Sequence, residues 1–369
     1  MTIDYQVRLN ALLENLNQKE LDLAIVTSPA NVFYFTGFHS DPHERFMALI
    51  VDNWNKEFTL FVPALDKEIA ATESFVKNII PISDEESPFS KLKSELGKVV
   101  KRNIGLEMNV VSMLRHNQLQ ATFPEASYDD IQPYINKLRL NKSRNEVIHL
   151  QVAVDIIEKV LAEGIKKVHI GMTEAELAAE LEYLMKKFGA VGPSFSTIVL
   201  AGEKAALPHG TPGDRALKKS DFLLIDFGVL TKDGYCSDIT RTFIIGEATD
   251  KQKEIYNIVL QSNQAGLSAV KAGVPLKTFD IEARNVIKRN GYGDYFNNRV
   301  GHGIGVEVHE EPSIHEKNDK IAEKGLFFTI EPGIYIPDYG GVRIEDEVYI
   351  NEDGEAEVLT SFSRELQIL

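Results

Sequence analysis

Phe222-Leu-Leu-Ile-Asp226-Phe-Gly228 and, one turn later, Cys236-Ser-Asp238-Ile-Thr-Arg-Thr242 decide how this chain reads. Each is an apolar, β-rich run carrying one aspartate, and Thr231-Lys-Asp-Gly234 between them is turn chemistry. The spacing predicts antiparallel strands over residues 222–229 and 235–245, with Asp226 and Asp238 close together on one face. A side-chain period of two sets Cys236, Asp238 and Thr240 side by side. Two buried carboxylates facing each other are costly unless a cation lies between them.

Three more residues share this character. His302 is framed by glycines in Gly301-His302-Gly-Ile-Gly305, which permit close backbone approach and leave room beside the imidazole. Glu331 precedes Pro332 and Gly333 at a strand end. Glu345 lies in the alternating run Val342-Arg-Ile-Glu-Asp-Glu-Val348, which predicts Arg343, Glu345 and Glu347 on one face of a strand. Four carboxylates and one imidazole, with no thiolate, suit a pair of divalent ions such as Mn²⁺, Co²⁺ or Zn²⁺.

Other residues read two ways. His209, in Leu207-Pro-His209-Gly-Thr-Pro212, and His309, in Val308-His309-Glu310-Glu-Pro312, are surface residues or the groups that engage a substrate beside two metal ions. The charged segment His39-Ser-Asp41-Pro-His43-Glu-Arg45 is a solvated turn or a loop reaching over an active site, in this or a partner subunit. Cys236 has no histidine partner in sequence and reads as packing. No Gly-x-Ser-x-Gly elbow is present, which argues against a serine hydrolase.

Working outward, 369 residues predict two domains, 1–130 and 131–369. The first alternates helical and strand-like pieces and is an α/β domain with no glycine-rich phosphate loop. A linker helix over 131–140 precedes Ser143-Arg-Asn-Glu146, a capping box, and Thr173-Glu-Ala-Glu176 is another. Helices near 250–272 and 276–290 interrupt strand-like runs, predicting an α+β domain of one sheet with four main helices on one face.

The net charge is −15, from 55 acidic and 40 basic residues, opposite to a nucleic-acid binder. No apolar run approaches the roughly 20 residues that span a bilayer, and no secretory signal is visible. One cysteine excludes an intrachain disulfide, so the expected location is the cytoplasm.

The order Asp226, Asp238, His302, Glu331, Glu345, inside the words GHGIG, VHEEP, IEPG and RIED, resembles the pita-bread metallopeptidases. That family includes methionine aminopeptidase, prolidase and aminopeptidase P, with creatinase as a metal-free relative. The resemblance covers residues from about 143 to 369, and the N-terminal part is similar to the creatinase-type domain of prolidases and aminopeptidases P. It implies that those five residues bind two ions, with Asp238 and Glu345 bridging. A bridging water or hydroxide then attacks the peptide carbonyl, with Glu331 as general base and His209 and His309 on substrate and intermediate.

The resemblance implies a prolidase acting on proline-containing dipeptides, with aminopeptidase P on longer peptides as the alternative. A creatinase-like non-peptidase is the remote one. Many prolidases place an arginine where this chain has Ser313, which leaves Arg299 and Arg343 as the nearby cations for a substrate carboxylate. The words YFTGF and FHSDPHERF are similar to short bacterial prolidases, which implies a homodimer with Asp41 and His43 at the partner's site.

Overall fold

Short apolar runs in the first third of the chain build a single mixed sheet. The computed structural model describes residues 3–96 and 103–369. Within it the chain divides into two units, the first ending at Arg139 and the second beginning at Leu140.

The first unit contains strands β1 (Leu23–Val26), β2 (Ala48–Asp52), β3 (Glu57–Pro63), β4 (Ile79–Ile82), β5 (Asn103–Leu106) and β6 (Ser127–Asp130). Their order is β4-β3-β2-β1-β5-β6. The helices are α1 (Tyr5–Gln18), α2 (Pro29–Thr36), α3 (Lys67–Glu73), α4 (Pro88–Leu96), α5 (Met113–Thr122) and α6 (Gln132–Leu140). β3 and β4 run parallel, as do β5 and β6, and α3 and α5 provide the crossovers that parallel neighbours need. Most of α6 stays with this unit, because Ile131 and Ile135 are fully buried and Ile131 packs on Gly105 of β5. The division therefore falls later than residue 130.

In the second unit α7 (Arg144–Gly164) and α8 (Glu174–Lys187) begin at the two capping boxes. Ser143 Oγ accepts from Glu146 N–H at 3.4 Å, and Thr173 Oγ1 accepts from Glu176 N–H at 3.1 Å. A third box, Thr249 with Gln252, starts α9 (Asp250–Ala269), and α10 (Lys277–Arg289) follows. The strands are β7 (Gly192–Pro193), β8 (Ile198–Ala201), β9 (Phe222–Phe227), β10 (Val229–Leu230), β11 (Ile239–Ile244), β12 (Gly301–Gly303), β13 (Glu310–Ile314), β14 (Phe327–Ile330), β15 (Gly333–Ile336), β16 (Gly340–Arg343), β17 (Asp346–Ile350) and β18 (Ala356–Val358).

These strands do not make the one sheet expected. They form a three-stranded sheet β11-β9-β8, a five-stranded sheet β13-β12-β14-β17-β18, and the ribbons β7/β10 and β15/β16. The physical reason is that β9 serves two cores. Leu223, Ile225 and Phe227 pack with α7 and α8, whereas Phe222 and Leu224 pack in the core of α9 and α10. Asp226 continues the second face. No helix among the described residues is long and apolar enough to cross a membrane.

Candidate metal centre

β9 and β11 pair antiparallel with Asp226 opposite Thr240 and Phe227 opposite Ile239. The second strand begins later than residue 235, and Asp238 sits just before it. Its N–H donates to Glu347 Oε1 at 2.5 Å, and Cys236 N–H donates to Gly305 O at 2.8 Å, so neither amide is free for the ladder. Gly228 permits the tight passage between the strands, since a Cβ there would lie 1.9 Å from Ser237 O.

His302 is the centre of β12, which runs between β13 and β14. Cβ atoms on Gly301 and Gly303 would lie 1.8 Å from Thr329 O and 2.0 Å from Glu311 O, so these glycines serve strand packing. His302 Nδ1–H donates to Gly303 O at 3.1 Å, which leaves the Nε2 lone pair facing the acids.

Glu331 and Glu345 occupy matching breaks. Ile330 pairs with Asp346 in the five-stranded sheet, and Gly333 pairs with Arg343 in the β15/β16 ribbon. Between those registers both segments cross from sheet to ribbon, and the two glutamates sit in the crossings. The run 342–348 is therefore two strands, not one. Glu345 N–H donates to Thr240 O at 3.1 Å, and its Oε2 accepts from Thr240 Oγ1 at 2.7 Å.

The five side chains converge on one cavity of about 340 Å³. His302 Nε2 lies 3.6 Å from Asp238 Oδ2 and 3.5 Å from Glu331 Oε1. Donor atoms of Asp238, His302 and Glu345 all lie within 4.8 Å of one another. Asp226 Oδ1, Asp238 Oδ1 and Glu345 Oε1 are buried without a hydrogen-bond partner. An oxygen so placed costs about 1–3 kcal/mol, and more if charged, unless a proton or cation meets it.

Burial, followed by the neighbouring carboxylates, pushes Asp238 and Glu345 well above the usual range. Burial raises Glu331 to about 7. Burial and the adjacent His309 hold His302 down at about 3, so its imidazole is neutral. A neutral imidazole and clustered acceptor oxygens fit divalent cations, which would displace the protons held there.

His209, His309, Arg299 and Arg343 line the same cavity, with Asn298 and the apolar Phe195, Ile198, Pro208 and Val308. The His309 ring meets His302 edge-on, with centroids 4.3 Å apart. Burial, then Arg299 and His209, lower its pKa. Arg299 Nη1 donates to Ser313 Oγ at 3.1 Å, and no carboxylate pairs with it among the described residues. Ser313 is opposite His302 in the ladder and reaches the cavity only through Arg299.

Arg343 differs from the expectation of an open cation. It is buried, and its donors go to Asp226 Oδ2, to Tyr335 Oη at 2.8 Å and to Thr240 Oγ1 at 2.9 Å. It holds Asp226 in place. Asp41 and His43 are exposed in the first unit, where Asp41 Oδ1 accepts from His43 N–H at 3.0 Å.

Sequence reasoning missed the groups that support the site. Thr329 Oγ1 accepts from His302 N–H at 3.2 Å, and Glu347 fixes Asp238. Thr329 and Glu347 are paired across β14 and β17. Glu347 had a signal, the alternation in Arg343-Ile-Glu-Asp-Glu347. Tyr335 had none, because its contact with Arg343 depends on ribbon register.

The profile of metallopeptidase family M24 matches residues 149–352. The chain belongs to metallopeptidase family M24. A creatinase/prolidase N-terminal domain matches residues 8–141 of this M24 peptidase. An uncharacterized peptidase of Staphylococcus aureus (strain bovine RF122 / ET3-1) is 39% identical over 97% of this chain and 99% of its own. A prolidase from Thermococcus sibiricus superposes with a TM-score of 0.93 at 33% identity, covering 100% of both chains. An X-Pro aminopeptidase from Thermotoga maritima superposes with a TM-score of 0.87 at 33% identity, covering 98% of this chain and 100% of that one. The creatinase-type α/β domain and the α+β pita-bread domain expected from the sequence are thus the fold of this M24 metallopeptidase.

Proposed function

We propose that this M24 peptidase hydrolyses the Xaa-Pro bond of dipeptides. The observation that carries the reading is Arg299, a guanidinium without a carboxylate partner among the described residues, in the cavity that gathers the acids. A dipeptide presents a C-terminal carboxylate next to its only peptide bond, and a guanidinium suits it. Similarity to a prolidase over the whole chain supports the same reading.

Asp226, Asp238, His302, Glu331 and Glu345 would hold two divalent cations, Mn²⁺ by preference with Co²⁺ or Zn²⁺ as substitutes. Bound there, the ions supply Lewis acidity and a water that is nucleophilic near neutral pH. Glu331 takes the proton of the attacking water and returns it to the leaving amine. His309 and His209 steady the carbonyl oxygen as it gains charge. Arg299, steadied by Ser313, binds the terminal carboxylate, and Arg343 keeps Asp226 oriented.

A second reading, an aminopeptidase acting on longer peptides, draws on Ser313 in place of an arginine and on similarity to an X-Pro aminopeptidase. Assays of Leu-Pro and Leu-Pro-Pro across Mn²⁺, Co²⁺ and Zn²⁺ separate the two, and preferred tripeptide cleavage sinks the dipeptidase. The proposal extends to a homodimer in which Asp41 and His43 approach the partner's cavity. Sedimentation velocity and the kinetics of Asp41→Ala and His43→Ala test it, and a monomer with unaffected variants refutes it.

A further inference from the structure

We infer that the buried Glu174 carboxylate and its partly exposed counter-ion Lys204 form a pin that positions the His209 segment, and so act on substrate through His209. The inference rests on the proposed role of His209.

Between β8 and β9 the chain makes an excursion that carries His209. Its neck is closed by one side chain. Glu174, the first residue of α8, is fully buried. Its Oε1 accepts from Ala201 N–H at 2.8 Å. Its Oε2 accepts from Gly213 N–H at 3.1 Å and from the Lys204 ammonium. Lys204 also donates to Thr211 O at 3.1 Å. One carboxylate therefore takes an amide from each end of residues 201–213, and its counter-ion holds a carbonyl two residues beyond His209.

Two features argue for positioning over plain stability. Helix α8 does not need Glu174 as a cap, because Thr173 and Glu176 already form the box. An ion pair with a part-exposed partner is also a weak source of stability compared with apolar packing, whereas the hydrogen bonds of Glu174 tie both ends of the segment. His209 is exposed and has no hydrogen bond of its own among the described residues, so its placement depends on the segment. Pro208 and Pro212 restrict the backbone on either side, and Gly210 N–H donates to Leu207 O at 2.9 Å, so a fixed neck carries through to the imidazole. A misplacement of about 1 Å in such a group costs on the order of a hundredfold in rate.

The test combines exchange and kinetics on the full-length, Mn²⁺-loaded enzyme. Lys204→Met should speed hydrogen–deuterium exchange over residues 201–213 and leave residues 222–227 unchanged. With Leu-Pro it should lower kcat/KM by roughly tenfold to a hundredfold, with metal content retained. Lys204→Arg should recover most of the loss. In a His209→Ala background Lys204→Met should change nothing further, because both act through one group. Glu174→Gln should reproduce the pattern, and if it does not fold, the Lys204 variants decide alone.

Unchanged exchange and rate in Lys204→Met overturn the inference, and so do effects that multiply in the double variant. A silent His209→Ala removes the group through which the pin acts and overturns it as well. A wild-type enzyme inactive on Leu-Pro counts against the dipeptidase reading alone, since the exchange measurement still decides whether the pair holds the segment.

Discussion

Replacing Glu331 with glutamine in the metal-free protein removes an acid that the fold forces to keep its proton. Its side chain is 15% exposed, and burial lifts its pKa from 4.5 to about 7. The sign follows from linkage. Below about pH 4.5 folded and unfolded chains both hold the proton, and Glu331 has no effect on stability. Between about 4.5 and 7 the unfolded chain releases it while the folded chain retains it, so stability falls as pH rises. Above about 7 the penalty is constant. At about 1.4 kcal/mol per pH unit, the penalty reaches on the order of 3 kcal/mol.

Glutamine keeps the shape without the charge, so metal-free Glu331→Gln should become progressively more stable than wild type from about pH 4.5 to 7. For a unit of this size the gap corresponds to roughly 6–12 °C in Tm. The difference between the two proteins is the quantity to follow. His302, held at about 3, contributes in the opposite sense, and its stabilisation grows as pH rises to about 6.5. His302 Nε2 lies 3.5 Å from Glu331 Oε1, so the two groups interact, and repeating the comparison in a His302→Gln background isolates the effect of Glu331. Urea denaturation of chelator-treated protein at three pH values measures the gap. A gap independent of pH, or a variant less stable at pH 7.5, refutes the account of burial at Glu331.

Asp238→Asn should lower divalent-metal affinity by more than the roughly 10- to 100-fold typical of outer ligands, with activity falling alongside. Isothermal titration with Mn²⁺ checks this, and full metal content with full activity contradicts the assignment. Arg299→Ala should raise KM for Leu-Pro by about 10- to 100-fold, the equivalent of one charged hydrogen bond, with little change in kcat. Leu-Pro amide should be indifferent to the change, and equal effects on both substrates would remove Arg299 from carboxylate binding. Gly301→Ala places a Cβ 1.8 Å from Thr329 O and should destabilise the second unit by about 3 kcal/mol or more, read as a fall in Tm.

How much was legible depended on the range of each interaction. Local patterns were read with little error. The helix expected over 131–140 is α6, and the boxes at Ser143 and Thr173 start helices, because caps and periodicity act within a few residues. The continuous strands expected over 235–245 and 342–348 are broken. Distant groups, Glu347, Gly305 and Thr240, capture the amides of Asp238, Cys236 and Glu345. Arg343 looked like a free cation, and only the ribbon register shows that Asp226 and Tyr335 occupy it.

The sequence by itself determined the chemistry available. It set four acids, one histidine and their order, because ligand type is a property of the residue and its immediate words. Only the tertiary structure decided that these residues meet. It did so by splitting the strands between two sheets and two ribbons, so that Glu331 and Glu345 fall in the crossings opposite Asp226 and Asp238. It also decided which cation remains open, Arg299 rather than Arg343. The reason is physical: charges are free or committed according to neighbours more than a hundred residues away, and no local pattern records that distance.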